Sequence, residues 1–191
     1  MTSTSAWPDL IGNLVLLKER ISELDLDGPL EYVLPKVSAS EKTLVDVEAQ
    51  LGEAIDPGYR EFLGYADGWP SFFVSLQLIG ARDLLGRLRS TADANLANQF
   101  MYPWPGLDQR DLFPVAVSLV DKDVVVVGRP GTSMAGRCLL LAGEVVHDCE
   151  SLRTSSRRWW ALTAVSSTNY VQPPDPHRQG HPPTRLDPRV R

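Results

Sequence analysis

Hydrophobic positions in the first third of the chain recur at helical spacing. Leu10, Leu14, Leu17, Ile21 and Leu24 step by four and three, which places them on one stripe and predicts a first helix. After Pro35 comes "SASEKTLVDVEAQLG", in which Ser38 or Ser40 can cap a second helix and the Ser38-to-Glu41 spacing fits a capping box. Leu44, Val47 and Leu51 form its buried face, and Gly52 ends it. "IDP" is a turn, and Pro57 suits the first position of a third helix that turns Tyr59, Phe62 and Leu63 inward. Gly68 is expected at φ > 0 as the stop of that helix.

Beyond Trp69 the period shortens. "FFVSLQLIG" reads as one strand, "ARDLLGRLRS" as a short helix, and "NQFMYPWPGLDQRD" closes an irregular connection. "LFPVAVSLV", "DVVVVG" and "RCLLLAGEVVHDC" then read as β-rich runs broken at Asp121-Lys122 and Gly143-Glu144, which suits an antiparallel meander. With Gly143-Glu144 as a two-residue type II′ loop, Cys138 stands opposite Cys149. "SLRTSSRRWWALTAV" has the look of a capped closing helix. The fold class is therefore α+β, helices packed on an antiparallel sheet, in a single domain over residues 1–167.

Residues 168–191 hold four arginines and two aspartates among many prolines and show no apolar periodicity, so this tail is expected to be disordered. The chain has 191 residues, 43% of them hydrophobic, a size that gives one domain an ordinary core. Its start lacks the charged and apolar regions of a secretory signal, and no run is long enough for a membrane helix; the expectation is a cytoplasmic protein. Cys138 and Cys149 do not amount to a disulfide framework.

Charge is unevenly spread along the chain. The formal net charge is −5, and the segment Glu41–Asp67 alone carries seven acids against two bases, a surplus as large as that of the whole chain. Candidate chemistry is thin by comparison. His147 is the one histidine outside the tail, and a Cys138, His147, Cys149 set on one sheet face would lack a fourth ligand and match no paired zinc spacing. "GRPGTSMAGR" (128–137) lacks the Gly-Lys-Ser/Thr ending of a phosphate loop and reads as a turn connection. The residues call for no metal and no cofactor. Arg157, Arg158 and Trp159, with the basic tail, offer a single-stranded nucleic-acid binder as the rival from another class, although an acidic body repels polyanions.

Between Ser38 and Trp69 the succession of an acid-rich helix ending in "LG", an "IDP" turn, a "YREFL" helix and "ADG" before an aromatic strand resembles the SUKH superfamily. The departures are Ile55-Asp56-Pro57 in place of a Leu-Pro pair and Asp67 in place of the commoner Asn. The resemblance implies a non-enzymatic α+β domain that binds proteins. Many such domains are immunity proteins that neutralise a cognate toxin, often a nuclease or deaminase; others are regulatory hubs, and a phage-defence role is a further alternative.

As matched residues, Gly68 and Trp69 would turn the chain into the first strand, whereas the competing reading makes Trp69 an exposed interface anchor. A toxin that holds nucleic acid has a basic surface, so the expected partner-binding residues are Asp46, Glu53, Asp56, Asp67 and Trp69, with Asp46 and Glu53, seven apart, on one outward stripe.

Overall fold

A computed structural model describes residues 7–24 and 31–156. The tail 168–191 and Arg157, Arg158 and Trp159 lie outside the described residues. The helices are α1 (Trp7–Leu24), α2 (Glu41–Leu51), α3 (Pro57–Leu63) and α4 (Arg87–Gln99). The strands are β1 (Trp69–Phe73), β2 (Leu76–Leu78), β3 (Leu112–Ser118), β4 (Val124–Gly128), β5 (Cys138–Leu141) and β6 (Val145–Cys149). They form one antiparallel sheet in the order β1-β2-β3-β4-β5-β6, so the domain is α+β as expected. Every residue of β3, β4 and β5 is buried, the mark of strands covered on both faces.

Local chemistry places the first helices. Ser40, rather than Ser38, caps α2: its Oγ accepts the Thr43 N–H at 3.1 Å. Gly52 ends α2 in the left-handed region at φ 72°, and its N–H returns to the Glu48 carbonyl. Pro57 opens α3 under the Asp56 cap, and Tyr59, Phe62 and Leu63 enter the core. Trp7 packs edge-on against Phe62 at 5.1 Å, and Trp69 does the same against Phe72 at 5.4 Å. Such pairs contribute about 0.5–1.5 kcal/mol beyond the area they bury.

Four expectations change. First, α3 ends at Leu63, capped by Gly64 at φ −68°, so Gly68 is not its stop. Gly68 does take φ 84°, but in the turn that follows, where an added Cβ would lie 2.7 Å from the Gly80 nitrogen and 2.8 Å from the Leu78 carbonyl oxygen. Close backbone approach, not helix termination, demands glycine there.

Second, "FFVSLQLIG" is a hairpin, not one strand. β1 turns through Val74-Ser75 into β2, with Val74 at φ 49°. Third, α4 runs to Gln99, through residues with little apolar patterning, because Asn95 and Gln99 are buried as polar anchors beside Ala92 and Leu96. Fourth, the β5–β6 loop has three residues, 142–144, with Gly143 at φ 77°. A register shift between Leu140 and Leu141 absorbs the extra one, so Cys138 does face Cys149.

Candidate functional site

The acids of the 41–67 segment are spent within the fold. Arg60 binds Glu41 at 2.5 and 3.1 Å through its two terminal nitrogens and Glu48 through Nε at 3.2 Å. Hydrogen bonding from Arg60 holds the Glu41 carboxyl below its ordinary range. Glu48 also accepts the Ile55 N–H at 3.1 Å, which ties the end of α2 to the turn. Glu61 pairs with Arg153 at 2.5 Å, and Glu53 pairs with Arg129.

The five expected partner-binding residues are therefore not brought together on one face. Asp46 is exposed and pairs with Lys42 at 2.6 Å. Glu53 lies past Gly52, beyond the helix, so the seven-residue stripe it was to share with Asp46 does not exist. Asp56 is 7% exposed and caps α3, its Oδ1 taking the Tyr59 N–H at 2.9 Å. Asp67 is half-buried and takes the Ala81 N–H. Trp69 is fully buried, its indole N–H donating to the Val33 carbonyl at 2.7 Å. For Trp69 the scaffold reading holds, and the anchor reading is corrected.

A cleft of about 590 Å³ lies where Asp56-Pro57 of α3 meets Trp7, the 129–137 loop and the closing segment Glu150–Thr154. The loop is fixed at its base, since the Arg129 N–H donates to the Asp111 carbonyl at 2.7 Å and Gly128 has no room for a Cβ beside Met134. Ser151 caps the short helical run 152–156, accepting the Thr154 N–H at 3.1 Å. Arg153 stacks over Trp7 at 5.3 Å. Deeper in, burial pushes the Cys138 thiol up to about 12, so it stays a neutral thiol and a poor nucleophile at neutral pH. Among the described residues no three His, Cys, Asp or Glu side chains group to hold a metal ion, and no helix is long and apolar enough to cross a membrane.

The meander puts the β1–β2, β3–β4 and β5–β6 turns at one end of the sheet, and α4 clamps two of them. Asn95 Nδ2 donates to the carbonyls of Ser118, Asp121 and Asp123 at 3.2–3.4 Å. Gln99 donates to the Lys122 carbonyl and accepts the Gly143 N–H, both at 2.8 Å. Ser118 Oγ takes the Val120 and Asp121 N–H groups and donates to Ser75 Oγ at 3.0 Å, joining the first turn to the second.

On this clamped base Val120 is 83% exposed and Leu119 53%, and the β1–β2 turn, joined to this one by the Ser75 hydroxyl donating to Asp121 at 3.5 Å, exposes Val74. A β-branched residue at positive φ costs on the order of 1–3 kcal/mol, so Val74 is held outward against its backbone preference. Beside the apolar tip stand Asp121 and Asp123, and burial, then the Asp121 charge, pushes the Asp123 carboxyl above its usual range. Among the described residues neither carboxylate pairs with a cation, although Asp121 accepts the Ser75 hydroxyl at 3.5 Å, and an exposed apolar centre with such carboxylates at its rim is the composition of a protein-docking patch.

This end holds none of the sequence-predicted site residues. Its signal was present: "LFPVAVSLV" stays apolar through Leu119 and Val120, past the strand end at Ser118, directly before Asp121. Compared with known proteins, the chain matches no family model and shows no significant similarity to any curated protein.

Proposed function

We propose that this chain is a non-enzymatic protein-binding domain of the immunity type, which binds a cytoplasmic toxin of the nuclease or deaminase class and neutralises it by covering a basic surface. The observation that carries this reading is the sheet end. Leu119 and Val120 are displayed there beside Asp121 and Asp123 on a turn that Asn95 holds through three hydrogen bonds. A pre-formed patch loses little conformational freedom on docking. Its carboxylates steer a basic partner toward the apolar centre.

The capped helix, the short turn, the second helix and the glycine turn into an antiparallel sheet follow in the order that the SUKH resemblance implies, and they support the same class. Co-expression with the toxin domain of a neighbouring gene tests it. The intact chain restores growth and co-elutes with the toxin, and Leu119→Ser with Val120→Ser weakens both while keeping its melting temperature. A chain that neither rescues nor binds a neighbouring toxin, yet is retained on single-stranded DNA, would overturn the reading in favour of the nucleic-acid rival.

A further inference from the structure

Lys18 occupies an unusual place. It sits midway along α1, 2% exposed, on a stripe otherwise made of Trp7, Leu10, Leu14 and Ile21. Its ammonium donates to the Ser71 carbonyl and lies 5.8 Å from the centre of the Trp69 ring. That carbonyl lies in a bulged stretch of β1, an edge strand. Trp69 pairs with Leu78 and Phe73 with Leu76, which leaves three β1 residues opposite Gln77, and Ser71 takes φ 45°. Among the described residues, β1 thus presents a carbonyl and an aromatic ring to Lys18. The segment before α2 presents the Glu31 carboxylate, which Ser71 Oγ holds at 2.9 Å. Burial pulls the Lys18 ammonium down to about 8, and the Glu31 charge opposes that shift.

The other end of α1 is also docked at a cost. Trp7 is 2% exposed, yet among the described residues its indole N–H has no hydrogen-bond partner, and neither has Nε of the Arg153 stacked on it. A buried unpaired donor carries an uncompensated desolvation penalty. α1 therefore combines an apolar stripe with polar groups that burial disfavours at its start and its middle.

We propose that α1 is a proton-linked cover over the β1 edge, which opens as a unit with proton uptake at Lys18 and closes as that proton leaves. In the open form Lys18 is an ordinary solvated lysine; in the closed form the ammonium is desolvated. Below about pH 8 both forms keep the proton, and the opening equilibrium is flat and at its highest. Between about 8 and the ordinary lysine value of 10.5, opening falls by about tenfold per pH unit, because only the open form remains protonated. The cover stands whether or not the sheet end binds a toxin.

The test uses the full chain carrying Leu14→Cys, which places a thiol on the buried face of α1. Its alkylation by iodoacetamide is followed by mass spectrometry from pH 7 to 10, and each rate is divided by that of the same thiol in the urea-unfolded chain. The expected result is a corrected rate well above that of Cys138, flat to about pH 8 and then falling by about tenfold per unit. Adding Lys18→Met abolishes the fall, and adding Glu31→Gln moves its onset to lower pH. Equal rates for the introduced thiol and Cys138, which mean that α1 leaves only with the whole domain, overturn the proposal, as does a corrected rate independent of pH. If Leu14→Cys does not fold, native-state hydrogen exchange of the unmodified chain decides. Protection of the α1 amides that is lower than that of the β4 amides and rises above about pH 8 upholds the cover, and equal protection in α1 and β4, or α1 protection independent of pH, overturns it.

Discussion

Two acidic regions of this molecule meet opposite fates. Between Glu41 and Asp67 each of the seven acids has a partner inside the fold. Arg60 takes two of them, Lys42, Arg129 and Arg153 take one each, and the N–H groups of Tyr59 and Ala81 take Asp56 and Asp67. At the β3–β4 turn there are only two acids, Asp121 and Asp123, and they stand beside each other next to exposed Leu119 and Val120. Counting charge along the sequence points to the first region; following each carboxylate to its partner points to the second, where among the described residues neither acid pairs with a cation and Asp121 accepts the Ser75 hydroxyl at 3.5 Å. A carboxylate already ion-paired must give up that pair to serve an incoming cation, so it contributes little steering and little net affinity. A surplus of charge marks an interface only where the fold leaves it unspent.

The scaffold side of this contrast breaks most severely at Gly68, the residue that follows the last of the seven acids. Valine there would set Cβ 2.7 Å from the Gly80 nitrogen at a φ of 84°, so it meets fixed backbone as well as a forbidden conformation. We expect Gly68→Val to lose about 3 kcal/mol or more in urea unfolding, or to fail to fold. A loss under about 1 kcal/mol would show that the chain at Gly80 yields, and that this turn is not the rigid frame described above.

Much of that frame was legible in the sequence, because its signals are local. Ser40, Gly52, Asp56 and Pro57 are cap and turn residues whose chemistry acts within four positions, and the β5–β6 register follows from alternation about one loop. What was not legible depends on distant contacts. The Val74-Ser75 turn has no Gly, Asn or Pro to announce it; it is held from outside, by Ser118 and Asp121. The C-terminal half of α4 is written in Asn95 and Gln99, buried to bind loop carbonyls more than twenty residues away.

Lys18 conceals itself differently: a lysine in an apolar stripe shifts the apparent stripe to Leu17, although Leu17 is only partly buried and Lys18 points inward. The docking patch was hidden for the same reason as the spent acids, since exposure and pairing are properties of the folded chain.

The functional side of the contrast is tested by exchanging the roles of the two regions. Leu119→Ser with Val120→Ser should weaken toxin binding by about thirtyfold, near 2 kcal/mol, with an unchanged melting temperature, because the removed side chains are already exposed. Asp46→Asn, at an exposed acid of the first region, should leave affinity within about twofold. Titration calorimetry with the toxin decides between the regions. The reverse ranking would return the interface to α2.

Asp56 gives a smaller effect of the opposite kind, on stability and not on binding. Asp56→Ala removes the α3 cap at a buried site and should cost about 1 kcal/mol, whereas Asp56→Asn, whose side-chain oxygen can still accept the Tyr59 N–H, should cost less than half of that. Equal losses in the two variants would mean that the charge, rather than the hydrogen bond, matters there.

The smallest expected effect separates the two regions by sign. In the first, Arg60 lowers the Glu41 carboxyl, so its ionised form is favoured by folding; that contribution is present above the ordinary carboxylate range and is lost as pH falls through the lowered folded value. In the second, burial and Asp121 raise the Asp123 carboxyl, so its protonated form is favoured by folding; that contribution is present at low pH and is lost as pH rises through the raised folded value. At neutral pH ionised Asp123 is therefore a small cost that the turn bears. Asp123→Asn should add roughly a few tenths of a kcal/mol at pH 7, a figure kept small by the partial exposure of the group, and the gain should vanish below the ordinary aspartate range, where both side chains are neutral. Carboxyl carbon shifts followed by NMR provide the direct reading: Asp123 titrates above the ordinary aspartate range and Glu41 below the ordinary glutamate range. If Asp123 titrates at or below the ordinary aspartate range, or if the Asn variant loses stability at pH 7, the turn holds its carboxylates as firmly as α2 does. The contrast between unspent and spent charge then fails at this site.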